Sequence, residues 1–246
     1  MPDMKKIILV FALGVVFSGI SALATPSSDV LFIVMGGRTS CGSSDPEPTG
    51  LAMYANFTGM LKDLKSRLPE RNFHFLVSCF NSDAPPDGEA LFITSEQPTV
   101  TQTGNAEAMR SQIETFAASK EGMTTFVIGH SYGGWLAMYL GQNLKLSRPI
   151  DGLFTIDPIS PECGPLGYIL GAAECHEAPT DLDNATIRKQ TKQWTNFYQD
   201  QDGWLHSSEI AEADNVHLQY RGQHTQIDVD PRTWSGISDK VKAELQ

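Results

Sequence analysis

Basic residues are scarce in this chain. Lysine and arginine together number 18 against 29 aspartates and glutamates, for a formal net charge of −11. A surface of that sign repels nucleic acid and anionic membranes, so no nucleic-acid partner is expected. Solubility is the plainer use of the charge. Cysteines are also few. The four of them, Cys41, Cys79, Cys163 and Cys175, include no C-x-x-C pair, which argues against a zinc site of that spacing. After Ile20 no segment is long and apolar enough to span a bilayer. No internal repeat and no linker divides the chain.

The first residues suggest export. Lys5 and Lys6 precede an apolar run from Ile7 to Ile20, and Ser21-Ala22-Leu23-Ala24 closes it. A positive start, a short apolar stretch and a small-residue A-x-A ending make a secretory signal peptide of residues 1–24. The apolar run is shorter than the roughly 20 residues of a spanning helix, and no cysteine follows Ala24 to carry a lipid. Residues 25–246 are then a soluble domain without a stable membrane anchor, secreted or periplasmic. Removing 24 residues from 246 leaves 222, enough for one domain with a full core. In an exported chain an even cysteine count points to disulfides. Cys163 with Cys175 closes a short local loop; Cys41 and Cys79 each follow a predicted strand, and they make the second expected pair.

Strands and helices alternate. Val30 to Val34 is a continuous apolar run ending at Gly36-Gly37, the pattern of a strand buried on both faces. Tyr54, Phe57, Leu61, Leu64 and Leu68 recur at helical spacing before Pro69. Phe73 to Phe80 reads as a strand, and Asn81 to Thr103, polar and rich in turn formers, as mostly loop. Ala106, Met109, Ile113 and Phe116 mark a helix; Thr125 to Ile128 a strand; Trp135 to Leu140 a helix. Gly152 to Ile156, Trp194 to Gln199 and Val216 to Tyr220 are three more strands. Pro161 to Lys192 has no clean period and reads as an insertion. Asp230 caps a last helix with Pro231 in its first turn, and Trp234, Ile237, Val241 and Leu245 form its buried face. The expected fold class is α/β: a mostly parallel sheet of about six strands with helices on both faces.

The chemistry centres on Gly129-His130-Ser131-Tyr132-Gly133. The bare G-x-S-x-G pattern is weak, but here it joins an apolar strand directly to an apolar helix, where a nucleophile elbow belongs. The turn strains the serine, and glycine at the flanking positions removes clashes. Ser131 is the expected nucleophile. A hydroxyl needs a base at neutral pH. Of six histidines, His224 lies between the last strand and the last helix, on the edge where the elbow emerges. His206 is the reserve. His130, beside the serine, is read as packing, and His74 and His217 as structural residues within strands. The orienting acid is Asp157, just past the strand that ends at Ile156 and stiffened by Pro158. Asp200 and Asp202 stay open as alternatives. The oxyanion donors are the amides of Tyr132 and Gly37, with Arg38 second to Gly37.

These residues resemble the α/β-hydrolase superfamily over nearly all of residues 25–246. Gly129-His130-Ser131-Tyr132-Gly133-Gly134 is similar to the G-H-S-x-G-G elbow of its lipases and esterases. Asp157-Pro158 is similar to the D-P that carries the acid in pancreatic-type lipases. Other members place the acid one strand later, which keeps Asp202 in play. Met35-Gly36 departs from the His-Gly found in many members, which leaves the second oxyanion donor open. The chain also begins at what would be the family's third strand. The resemblance implies a Ser-His-Asp triad, no metal, no organic cofactor, and a small-molecule or lipid ester as substrate; it identifies no protein partner. A thioesterase, amidase or acyltransferase would use the same triad, and a non-catalytic binding protein can keep the fold. In such lipases the segment after the acid often forms a lid; here residues 161–192 would supply it, with Tyr168-Ile169-Leu170 at an apolar tip. Asn56-Phe57-Thr58 and Asn184-Ala185-Thr186 match the N-glycosylation pattern.

Overall fold

A computed structural model describes residues 27–37, 53–80, 93–96, 100–103, 105–163, 175–201, 205–219 and 224–246. The strands are β1 (Asp29–Gly36), β2 (Asn72–Phe80), β3 (Val100–Thr103), β4 (Thr124–His130), β5 (Gly152–Ile156), β6 (Trp194–Tyr198) and β7 (Asp214–His217). The helices are α1 (Tyr54–Arg67), α2 (Ala106–Ala118), α3 (Tyr132–Asn143), α4 (Asn184–Gln190) and α5 (Pro231–Leu245). A 3-10 helix, His224–Val229, leads into α5.

Among the described residues the seven strands are all parallel and lie in the order β3-β2-β1-β4-β5-β6-β7. The sheet is laid down outward from its middle: β1 to β3 in one direction, β4 to β7 in the other. Between β1 and β4 the winding reverses, and the carboxyl ends of the strands at such a reversal are where open α/β sheets bind ligands. The doubly wound sheet, the helices on both faces and the strand-to-helix elbow after β4 are those of an α/β-hydrolase fold.

Period-2 alternation along β1 sorts the core into two layers. Val30, Phe32 and Val34 face one way, against Phe57, Leu61 and Leu64 of α1 and Trp234, Ile237 and Val241 of α5. Leu31, Ile33 and Met35 face the other, against Met109 and Ile113 of α2, Leu136 and Leu140 of α3, and Ile187 of α4. Because both faces are covered, the strand reads as one continuous apolar run. The start of α5 is as expected: Asp230 accepts from the Arg232 amide at 2.8 Å, and Pro231 follows the cap.

Two elements differ from the sequence expectation. β3 lies within the stretch read as loop and makes the sheet seven strands wide. Its Val-Thr-Gln-Thr sequence carries no apolar run; the parallel ladder from Val77↔Val100 to Phe80↔Thr103 holds it at the sheet edge. Within the irregular segment 161–192, residues 184–190 form α4, capped by Asp183, whose carboxylate accepts from the amides of Ala185 and Thr186. The strand expected at Val216–Tyr220 is β7, which begins two residues earlier and ends at His217.

The expected Cys163–Cys175 disulfide is present, with its Cα atoms 5.4 Å apart. The other expected pair includes Cys41, which lies outside the described residues, as do residues 1–24, Arg38, Asp202 and Tyr168-Ile169-Leu170. Among the described residues no helix is long and apolar enough to cross a membrane.

Candidate active site

Ser131 sits between the last residue of β4 and the first of α3, with φ 59° and ψ −125°. That backbone is sterically disfavoured for any residue with a β-carbon, and three neighbouring segments hold it in place. The Ser131 amide donates to Ile156 O at 3.0 Å, which extends the β4–β5 ladder by one bond. Its carbonyl accepts from the amides of Gly134 at 2.9 Å and Trp135 at 3.2 Å, starting α3. The same carbonyl accepts from the Ile159 amide at 3.1 Å. The turn that carries Ser131 is thereby tied to the turn that carries Asp157.

Small residues let these turns meet. A β-carbon on Gly37 would lie 2.7 Å from Ser131 Cβ and 2.9 Å from its Oγ. A β-carbon on Gly134 would lie 2.7 Å from Pro158 Cβ. The end of β1 therefore reaches the serine at the winding reversal. The amide of Tyr132, as the first residue of α3, lies at the positive end of that helix. The Tyr132 hydroxyl donates to Cys163 O, which joins the elbow to the disulfide loop.

His224 opens the 3-10 helix and is buried at 3 % exposure. Its Nδ1 lies 2.8 Å from Asp157 Oδ2. Asp157 is fully buried, with φ 44°. The same Oδ2 accepts from Gln199 Nε2 at 3.0 Å, and Oδ1 accepts from the Ser207 amide at 2.8 Å. A carboxylate with that set of donors is satisfied without solvent and aims its remaining capacity at the imidazole. With Nδ1 committed to Asp157 as donor, Nε2 is the nitrogen left for proton exchange.

The other expected candidates lie apart from this pair. Asp200 pairs at the surface with His217 Nε2 at 2.9 Å; a hydrogen bond from Gln201, and after it the His217 contact, holds its carboxyl below the usual range. The His206 ring stacks on His176 with centroids 5.2 Å apart, and its Nδ1 lies 2.8 Å from Ser207 O. His74 pairs with Asp29 at 2.7 Å, at the far end of the sheet. His130 has more than a packing role. Its Nε2 lies 3.0 Å from the carbonyl of His224, and the two rings lie 4.8 Å apart. Burial, reinforced by the neighbouring His224, pushes the His130 ring down to about 3, so it is neutral.

Sequence reasoning missed Gln199 and Ser207, the donors to Asp157. Gln199 carried one signal: a glutamine closes a strand that is otherwise buried. Ser207 carried none, because its contribution is a main-chain N–H that any residue but proline supplies.

No family model matches the chain, and no curated protein matches it significantly. Solved structures resemble it at a distance. The ydeN gene product of B. subtilis is 12 % identical with a TM-score of 0.49, over 87 % of this chain and 99 % of that one. MenH from S. aureus is 13 % identical with a TM-score of 0.47, over 91 % and 97 %. A lipase-esterase related protein from Clostridium acetobutylicum is 11 % identical with a TM-score of 0.45, over 88 % and 94 %. At such identities the likeness carries no argument about activity, which rests on the chain's own geometry.

Proposed function

We propose that this chain is an exported serine hydrolase that cleaves a carboxylic ester through an acyl-enzyme. One observation carries the reading: a serine in strained backbone at a strand-to-helix turn shares its sheet edge with a buried His224–Asp157 pair. Strain at an elbow and a dry, oriented imidazole are each costly, and together they suit nucleophilic acyl transfer.

His224 takes the Ser131 proton as the hydroxyl oxygen attacks the ester carbonyl carbon. The tetrahedral oxyanion is held by the amides of Gly37 and Tyr132. The intermediate collapses, and His224 gives its proton to the departing alcohol. Water then enters; His224 takes one of its protons, the hydroxyl adds to the acyl carbon, and Ser131 leaves with that proton as the free acid departs. Asp157 keeps the proton of His224 on Nδ1 between steps and faces the imidazolium while it exists. Export is supported by the leader-like residues 1–24 and by the Cys163–Cys175 disulfide, a bond that persists in oxidising compartments.

Turnover of p-nitrophenyl esters of graded chain length tests this reading, with Ser131→Ala alongside. Ester hydrolysis that vanishes in the variant is expected. Turnover of thioesters or amides but not oxygen esters would move the assignment to those bonds, and a Ser131→Ala enzyme as active as wild type would overturn it.

A further inference from the structure

The residue before the nucleophile and a carboxyl after the base face each other in a dry site. His130 Nδ1 lies 3.4 Å from Asp228 Oδ2, and both side chains are only 4 % exposed. Main-chain carbonyls only accept, so His130 Nε2, 3.0 Å from His224 O, must be the donor there. The neutral ring then presents a lone pair at Nδ1. An ionised Asp228 would present lone pairs as well, and two acceptors would face each other with no proton between them. Among the described residues His130 Nδ1 and Asp228 Oδ1 have no hydrogen-bond partner.

We propose that Asp228 is a positioning residue for His224: in its protonated form its carboxyl donates to His130 Nδ1, and His130 Nε2–H grips the carbonyl of His224. This rests on the assignment of His224 as base. The clamp fixes the main chain of the base, while Asp157 fixes its ring.

The surroundings favour that proton location. Burial pushes the Asp228 carboxyl up to about 6 and the His130 ring down to about 3, so a single proton belongs on the carboxyl. The titratable groups facing the pair are His224, on the same 3-10 turn as Asp228, and Asp157 beyond β5. From α5 the neutral indole of Trp234 reaches this turn, its Nε1–H donating to Asp228 O at 2.6 Å.

Two measurements on the full chain test the clamp. The first is the ¹⁵N spectrum of the His130 ring with the ¹³C shift of the Asp228 carboxyl, followed between about pH 5 and 8. The second is kcat and KM for a short acyl ester in wild type, Asp228→Leu and Asp228→Asn. We expect a protonated Nε2, a bare Nδ1 and an un-ionised carboxyl at the acid end of that range. Asp228→Leu loses about tenfold or more in kcat with KM little changed. Asp228→Asn, whose amide N–H donates to Nδ1 at every pH, recovers most of that loss and keeps its kcat on the alkaline side, where wild type declines. A protonated Nδ1 in wild type overturns the clamp, as does an asparagine variant no better than leucine or a leucine variant equal to wild type. Should Asp228→Leu fail to fold, the ring shifts and the asparagine pH profile still decide. Absence of Ser131-dependent turnover in wild type would instead overturn the hydrolase assignment, and the role of the clamp with it, whatever the ring shifts show.

Discussion

Gly37 approaches Ser131 so closely that a β-carbon on it would stand 2.9 Å from the serine Oγ. The end of β1 and the elbow after β4 are thus packed to contact at the point where the sheet reverses its winding. Gly37→Ala must displace the hydroxyl or the loop. We expect kcat to fall by about 10- to 100-fold, because small misplacements at a reacting centre are expensive, with the melting temperature lowered by the overpacking, by about 2–4 °C for each kcal/mol of strain. Steady-state kinetics beside a melting curve checks this; full activity in the variant would remove Gly37 from the site.

Backbone strain at Ser131 makes a second prediction. A residue at φ 59° and ψ −125° stores about 1–3 kcal/mol, and glycine relieves much of that. Ser131→Gly should therefore melt higher than Ser131→Ala, by about 2–4 °C for each kcal/mol recovered, and both should be inactive. Equal melting temperatures would mean that the turn is not strained in solution.

The acid can be assigned by substitution. Asp157→Asn keeps the shape but favours the wrong tautomer of His224, and kcat should fall by roughly three to four orders of magnitude. Asp200→Asn disturbs surface contacts with His217 and Gln201 and should leave kcat within about twofold. Asp202→Asn belongs in the same series, since the sequence alone left that position open. A collapse in either of those two variants, with Asp157→Asn active, would move the acid one strand along.

What was legible in the sequence followed residue type and period. β1, β4 and β5 are buried on both faces and so appear as apolar runs. Asp230-Pro231 announced α5, and the G-x-S-x-G between a strand and a helix announced the elbow. Asking which residues emerge on the elbow's edge of a parallel sheet singled out His224 and Asp157, and the structure places their side chains 2.8 Å apart. What stayed hidden does its work through the main chain or through distant pairing. β3 pairs with β2 through a parallel backbone ladder that its sequence does not announce. α4 has a single buried residue, Ile187, and one buried residue makes no period. The Ser207 amide and the His130–Asp228 contact leave no mark on composition, because only the fold brings those atoms together.

Stability should carry an opposed pair of pH dependences. The folded His130 ring titrates at about 3 against an ordinary 6.5. Between those values the unfolded chain binds the extra proton, so this contribution to stability is lost as pH falls from 6.5 towards 3. Asp228 acts in the other sense. Its folded carboxyl titrates at about 6 against an ordinary 3.8, so the folded state holds the extra proton, and the carboxyl costs stability above about pH 6. Asp228→Asn should then be more stable than wild type at pH 8, by about 1–3 kcal/mol, with the gap closing towards pH 4. Urea unfolding at the two pH values checks this; a gap that does not change with pH would contradict it.

Every role proposed above depends on Ser131 being an activated nucleophile. Fluorophosphonate labelling of the purified chain, with Ser131→Ala and Asp157→Asn alongside, tests it most directly. Strong labelling of wild type, none of Ser131→Ala and greatly slowed labelling of Asp157→Asn is the predicted result. A folded wild type that stays unlabelled, with and without detergent, would contradict it.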